Sequence, residues 1–156
     1  MFDRIWSWIL TILIFFFPSL NRYSPALDWK AATNTVLTAI QNRDIDTIES
    51  FMCKNIKDNT SDLRGEIGRL IDLIDGTITS KSTEFYDDFS VASGGKTIMQ
   101  ATANSQIYTT AGEYGFDIIW EYYNNFSFAE RGIREIRLSI PLETGWYDIL
   151  VRIKAT

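Results

Sequence analysis

The 156 residues, 46% apolar and 14% aromatic, suffice for one domain that closes its core without disulfide or metal staples. A net charge of −5 with no basic cluster (Arg131, Arg134 and Arg137 are interleaved with Glu130 and Glu135) argues against a nucleic-acid partner, because neutralising phosphates needs grouped cations. A single cysteine, Cys53, rules out an internal disulfide, and the absence of histidine rules out a histidine-activated nucleophile.

Residues 1–26 read as a signal peptide or an N-terminal membrane anchor, and 27–156 as a single α+β domain. Ile5 to Phe17 carries no charge. As a helix that run reaches only about 20 Å, against a hydrocarbon core of about 30 Å. Its length suits a signal peptide, and Ser24-Pro25-Ala26 places small residues for cleavage before Leu27. An uncleaved anchor from Met1 to Leu20, with Trp6 and Trp8 at the interface, is the second reading. A buried helix of the domain is the third. The first two both send the chain out of the cytoplasm, to the cell envelope or beyond it.

Three amphipathic helices follow. Asp28 is placed to cap a helix running to Asn42, with Trp29, Ala32, Val36 and Ile40 on one stripe. Asp46 and Glu49 have capping-box spacing for a short second helix with Ile45, Ile48, Phe51 and Met52 on its apolar face. Cys53 falls beside them as a packing cysteine. Leu63, Ile67, Leu70, Ile71 and Ile74 define the third helix, closed by Gly76 as its C-terminal cap. Gly65 and Gly68 within it suggest close approach of another element.

From Thr77 the period changes to two. Thr77–Val91 reads as an edge strand, Gly94-Gly95 as a turn, and four more strands follow over 96–110, 113–123, 132–140 and 146–153. The short Gly-containing links, among them Ala111-Gly112 and Thr144-Gly145, make neighbours antiparallel. Tyr114, Phe116, Ile118, Trp120 and Tyr122 share one face of the third strand, with Ile136, Leu138 and Ile140 and then Tyr147, Ile149, Val151 and Ile153 continuing it. That apolar face needs cover, and the helices supply it.

Helices first and then a curved sheet resembles the nuclear transport factor 2-like (cystatin-like) cone. Three segments carry a closer likeness: Leu70-Ile71-Asp72-Leu73-Ile74-Asp75-Gly76, Tyr108-Thr109-Thr110 leading into Glu113-Tyr114-Gly115-Phe116, and Arg131-Gly132-Ile133-Arg134-Glu135-Ile136-Arg137-Leu138. They resemble the bacterial domain-of-unknown-function 5104 family, mostly predicted secreted lipoproteins, over roughly Trp29 to Ile140. The resemblance implies no catalytic residue. The chain departs from the lipoprotein pattern, since no cysteine follows its apolar segment.

On the residues alone, Asp117, Glu121, Glu135 and Asp148 fall on the face opposite the apolar one and read as solvated surface charges. No catalytic, metal or cofactor site is assigned. The leading expectation is a non-catalytic envelope binding module whose partner is a small apolar ligand or an envelope protein. Its pocket lies between sheet and helices, where small residues leave room among larger ones: Met99, Ala101, Ala103, Ser105, Tyr114, Phe116, Trp120 and Tyr122. The alternative is a small pocket enzyme of the isomerase or dehydratase type, for which Glu84 and Asp88 are the open candidates. An outward row of Ile119, Tyr123, Trp146 and Leu150 suggests a homodimer formed through the sheet.

Overall fold

A computed structural model describes residues 27–142 and 147–155, excluding the side chains of 88–93 and 147. The apolar run Ile5–Phe17, the cleavage site, the turn at Thr144-Gly145 and Trp146 lie outside those residues, as does the side chain of Asp88. Among the described residues no helix is long and apolar enough to cross a membrane.

Four helices precede five strands: α1 (Trp29–Asn42), α2 (Ile45–Ser50), α3 (Lys54–Asn59) and α4 (Leu63–Asp72), then β1 (Ile78–Ser93), β2 (Lys96–Thr109), β3 (Glu113–Asn124), β4 (Gly132–Pro141) and β5 (Tyr147–Lys154). The sheet is antiparallel throughout in the order β1-β2-β3-β4-β5, as the short links require. The class is α+β, as expected, but the described residues hold four helices rather than three. The additional one, α3, has a single buried apolar residue, Ile56, so it carries no periodicity to read.

The caps follow from aspartates. Asp28 accepts from Ala31 N at 3.1 Å and Asp62 from Gly65 N at 3.0 Å. The cap of α2 is Asp44 rather than Asp46: its carboxylate accepts from Thr47 N at 3.0 Å and Thr47 Oγ1 at 2.6 Å. Those two bonds hold the Asp44 carboxyl below the usual range. Gly65 makes room for its own cap, because a Cβ there would sit 2.1 Å from the Asp62 Oδ2. Gly68 faces Ile45 of α2, so neither glycine brings α4 onto the alanines of β2. Gly76 does not cap a helix either. Helix α4 ends at Asp72 with Leu73 as its cap, and Gly76 lies in the link to β1.

One apolar layer joins helices to sheet. Ala101, Ala103 and Ile107 of β2, Phe116, Ile118 and Trp120 of β3, and Ile136 and Leu138 of β4 pack with Val36, Leu37, Ile40, Ile48, Ile67 and Leu70 of the helices. Two bulges decide which residues reach it. On β4, Arg134 is the extra residue between the pairs Ile119–Glu135 and Trp120–Ile133, so Ile133 points inward although strict alternation puts it outward. On β5, Leu150 is the extra residue between Leu138–Val151 and Ser139–Ile149. Val151 and Ile153 are buried as expected, but Ile149 turns to the other face, 51% exposed, and Leu150 packs against the core. The expected outward row of Ile119, Tyr123, Trp146 and Leu150 therefore loses Leu150.

The start of β4 is bound to the α2–α3 junction. Ile133 N donates to Phe51 O at 2.8 Å, and Cys53 N donates to Ile133 O at 3.0 Å. Cys53 is fully buried there, and burial pushes its thiol pKa up.

Candidate functional site

Six of the eight residues expected to line a pocket between sheet and helices are buried, and one of these six, Ser105, also borders a cleft on the opposite face. Ala101, Ala103, Phe116 and Trp120 have no surface that a water molecule could touch, and Ser105 and Tyr114 retain 3% and 8%. A void able to take a ligand would leave its lining accessible. Their polar atoms are also occupied within the fold. The Trp120 indole N–H donates to Thr33 Oγ1 of α1 at 2.9 Å, and Thr33 in turn donates to Trp29 O at 2.8 Å. The Tyr114 hydroxyl accepts from Asp75 N at 3.0 Å, and the Ser105 hydroxyl lies 3.0 Å from that of Thr83. Met99 and Tyr122, at the other end of the layer, are half-buried. Tyr122 stacks at 6.0 Å on Trp29, and burial, then the charge and hydrogen bond of Asp87, raise its pKa. Ala103→Phe should accordingly overpack this layer and cost about 1–3 kcal/mol, read as a lowered melting temperature.

The opposite face carries the concavity. A cleft of about 480 Å³ opens between rows of cross-strand neighbours. One row runs Ser82, Gln106, Gly115, Ser139, Ile149, and the next runs Glu84, Asn104, Asp117, Arg137. The depression has a simple origin: Gly115 offers no side chain and the serines short ones, while the second row and Ile149 stand taller around them. Glu84, whose orientation the sequence leaves open, thus lies on this face and accepts from the Tyr86 hydroxyl.

Charges on this face are less solvated than alternation alone suggests. Glu121 is 1% exposed, with Arg134 Nη1 at 2.9 Å and Asn124 Nδ2 at 2.7 Å. The bulge at Arg134 is what turns that guanidinium toward Glu121. Glu135 is buried too, held by Arg137 Nε and by Arg152 through Nε at 2.6 Å and Nη2 at 3.2 Å. Burial pushes the Glu135 carboxyl up, but the hydrogen bonds and charges of the two arginines outweigh it and hold it below the usual range. Only Asp148 among the four is an exposed surface charge.

A pH dependence follows from Glu135. A carboxyl whose folded pKa lies below its unfolded one adds stability that is complete above the unfolded value, about 4.3 for Glu. That contribution is lost as pH falls through the folded value. Glu135→Gln should therefore remove part of the loss of stability between pH 5 and acid, read as a flatter melting-temperature profile over that range.

Asp117 differs from its neighbours. It is half-buried in the cleft, and its carboxylate has no hydrogen-bond or ion-pair partner among the described residues. Burial raises its pKa, with Arg137 opposing the shift and Glu135 adding to it. The sequence placed Asp117 on the correct face. It could not show that cross-strand register sets it between Asn104 and Arg137 in a hollow.

The profile of a family described as "Domain of unknown function (DUF5104)" matches residues 35–144. The chain belongs to this family. No curated protein matches it. The DUF5104 match spans α1 from Thr35 onward, all of β1 to β4 and the whole second row of the cleft, so the hollow lies within the matched segment except for Ile149 of β5.

Proposed function

We propose that this DUF5104 chain is an exported or membrane-tethered envelope module that binds a small polar ligand on the open face of its sheet. The observation that carries the proposal is Asp117: a half-buried carboxyl with no hydrogen-bond or ion-pair partner among the described residues, across the strands from Arg137, in a hollow of about 480 Å³. The pair suits a ligand with neighbouring donor and acceptor groups, and Ile149 suits a small apolar part of the same molecule. The uncharged run Ile5–Phe17 supports export, and tethering where the run is retained as an anchor. The order of helices before an antiparallel sheet, with its strands bent at bulges, supports reading the fold as a nuclear transport factor 2-like (cystatin-like) cone.

A second reading, a pocket enzyme, is favoured by the raised pKa of the same Asp117, since a carboxyl tuned upward can exchange a proton with substrate. Melting-temperature screening against small polar metabolites tests the binding reading. A ligand at a hundred times its Kd stabilises by about 2.7 kcal/mol, and Asp117→Ala should abolish that rise. Hits that stabilise Asp117→Ala and Arg137→Ala as well as the parent would sink it. The enzyme reading requires in addition that a hit be turned over, with the activity lost in Asp117→Asn.

A further inference from the structure

The link between β3 and β4 displays two large aromatic side chains to solvent, Phe126 at 68% and Phe128 at 43% exposure. A rigid scaffold holds them there. Asn124 is 4% exposed, and its Oδ1 accepts from Phe126 N at 2.9 Å and Ser127 N at 2.8 Å, while its Nδ2 is anchored on buried Glu121 at 2.7 Å. Asn125 bonds the link to the β1–β2 turn through Thr97 N at 2.7 Å and Gly95 O at 3.0 Å. Two cations cover the rings. Lys96 Nζ sits 3.9 Å from the centre of Phe126, and the Arg131 guanidinium lies 4.5 Å from that of Phe128.

The first described residue arrives at this same end of the sheet, where Leu27 N donates to Tyr122 O at 2.9 Å, two residues before Asn124. Residues 1–26, with the uncharged run Ile5–Phe17, join the domain at that point. Exposed aromatic rings beside a lysine have the chemistry of a bilayer interface: the rings partition among the headgroups and the Lys96 ammonium meets lipid phosphates.

We propose that the Phe126–Phe128 link is a membrane-surface contact, which seats the end of the sheet carrying Leu27 on the lipid headgroups. The proposal rests on the tethering reading above. It also gives the buried Glu121 and Asn124, with Arg134 bound to Glu121, a role as the frame that fixes the link.

The test uses the full chain in vesicles of phosphatidylcholine and phosphatidylglycerol. An environment-sensitive dye is attached at Ala129→Cys beside the rings, or at Ala111→Cys in the β2–β3 turn at the other end of the sheet. Cys53 is fully buried and does not compete for the dye in the folded protein. The proposal expects blue-shifted emission at position 129, quenched by spin-labelled lipid, and water-like emission at 111. Adding Phe126→Ser and Phe128→Ser should return the dye at 129 to water-like emission with the melting temperature kept. Lys96→Gln should weaken the shift in anionic vesicles and leave it unchanged in pure phosphatidylcholine. Flotation of the chain with vesicles while the dye at 129 stays water-like overturns the contact and leaves the tether standing. Failure to float overturns both. A shift at 129 that appears without lipid and grows with protein concentration assigns the link to a second copy of the chain, and so overturns the membrane contact.

Discussion

Trp120→Ala should lower the stability of the domain by about 3–5 kcal/mol. The side chain is fully buried, pairs across strands with Ala101 and Ile133, and meets Phe51 edge-to-face at 5.9 Å between ring centres. Its neighbours come from three strands and from the helix side, so the hole has no single wall that can collapse into it. Truncation also deprives Thr33 Oγ1 of its indole donor. Trp120→Phe separates the two contributions. It keeps much of the apolar burial and should cost only about 1–2 kcal/mol, chiefly the hydrogen bond and the missing ring atoms. Chemical denaturation of the three proteins measures both steps.

The second large effect is at Gly132, within one of the segments that carry the family likeness. Its φ is +138°, a region that side-chain-bearing residues rarely adopt. A Cβ there would lie 2.4 Å from Phe51 O and 3.0 Å from Cys53 N, both of them backbone atoms locked in the bridge to Ile133. Neither can retreat without breaking the link between the helices and β4. Backbone strain of about 1–3 kcal/mol adds to overpacking of similar size. Gly132→Ala should cost about 3 kcal/mol or more. Gly94→Ala is the internal comparison: its φ is +58° with nothing within 4 Å of the added Cβ, so it carries strain alone and should cost about 1 kcal/mol. Equal losses at the two sites would show that the close approach at Gly132 does not matter.

Much of the fold was legible because its signals are periodic. The alternation of β3 and the stripes of α1 and α4 announced both the elements and the faces they bury, and Asp28 announced its own cap. What failed was register. A bulge leaves no mark in composition, yet one extra residue at Leu150 reversed the expected faces of Ile149 and Leu150, and one at Arg134 turned Ile133 inward. The same limit hid the site. Small residues on β2 suggested room between sheet and helices, but Ala101 and Ala103 are fully buried, and Trp120, paired with Ala101, reaches Thr33 of α1. The actual hollow depends on Gly115 lying between Gln106 and Ser139, three residues from three strands whose adjacency only pairing reveals. Glu121 and Glu135 looked like solvated charges because alternation reports a face and not the arginines that close over it.

On the proposed function, ligands meet the open face while the helix-covered face is closed. Amide-correlation NMR with a library of small polar molecules tests it most directly, because the buried Trp120 indole N–H is a reporter for one face and the backbone amides of Asn104, Gln106, Gly115 and Asp117 report on the other. Those four amides should shift on ligand addition, and not in Asp117→Ala, with the Trp120 indole signal unmoved. Shifts centred on the Trp120 indole, Ala101 and Ala103, with the open-face amides unchanged, would contradict it.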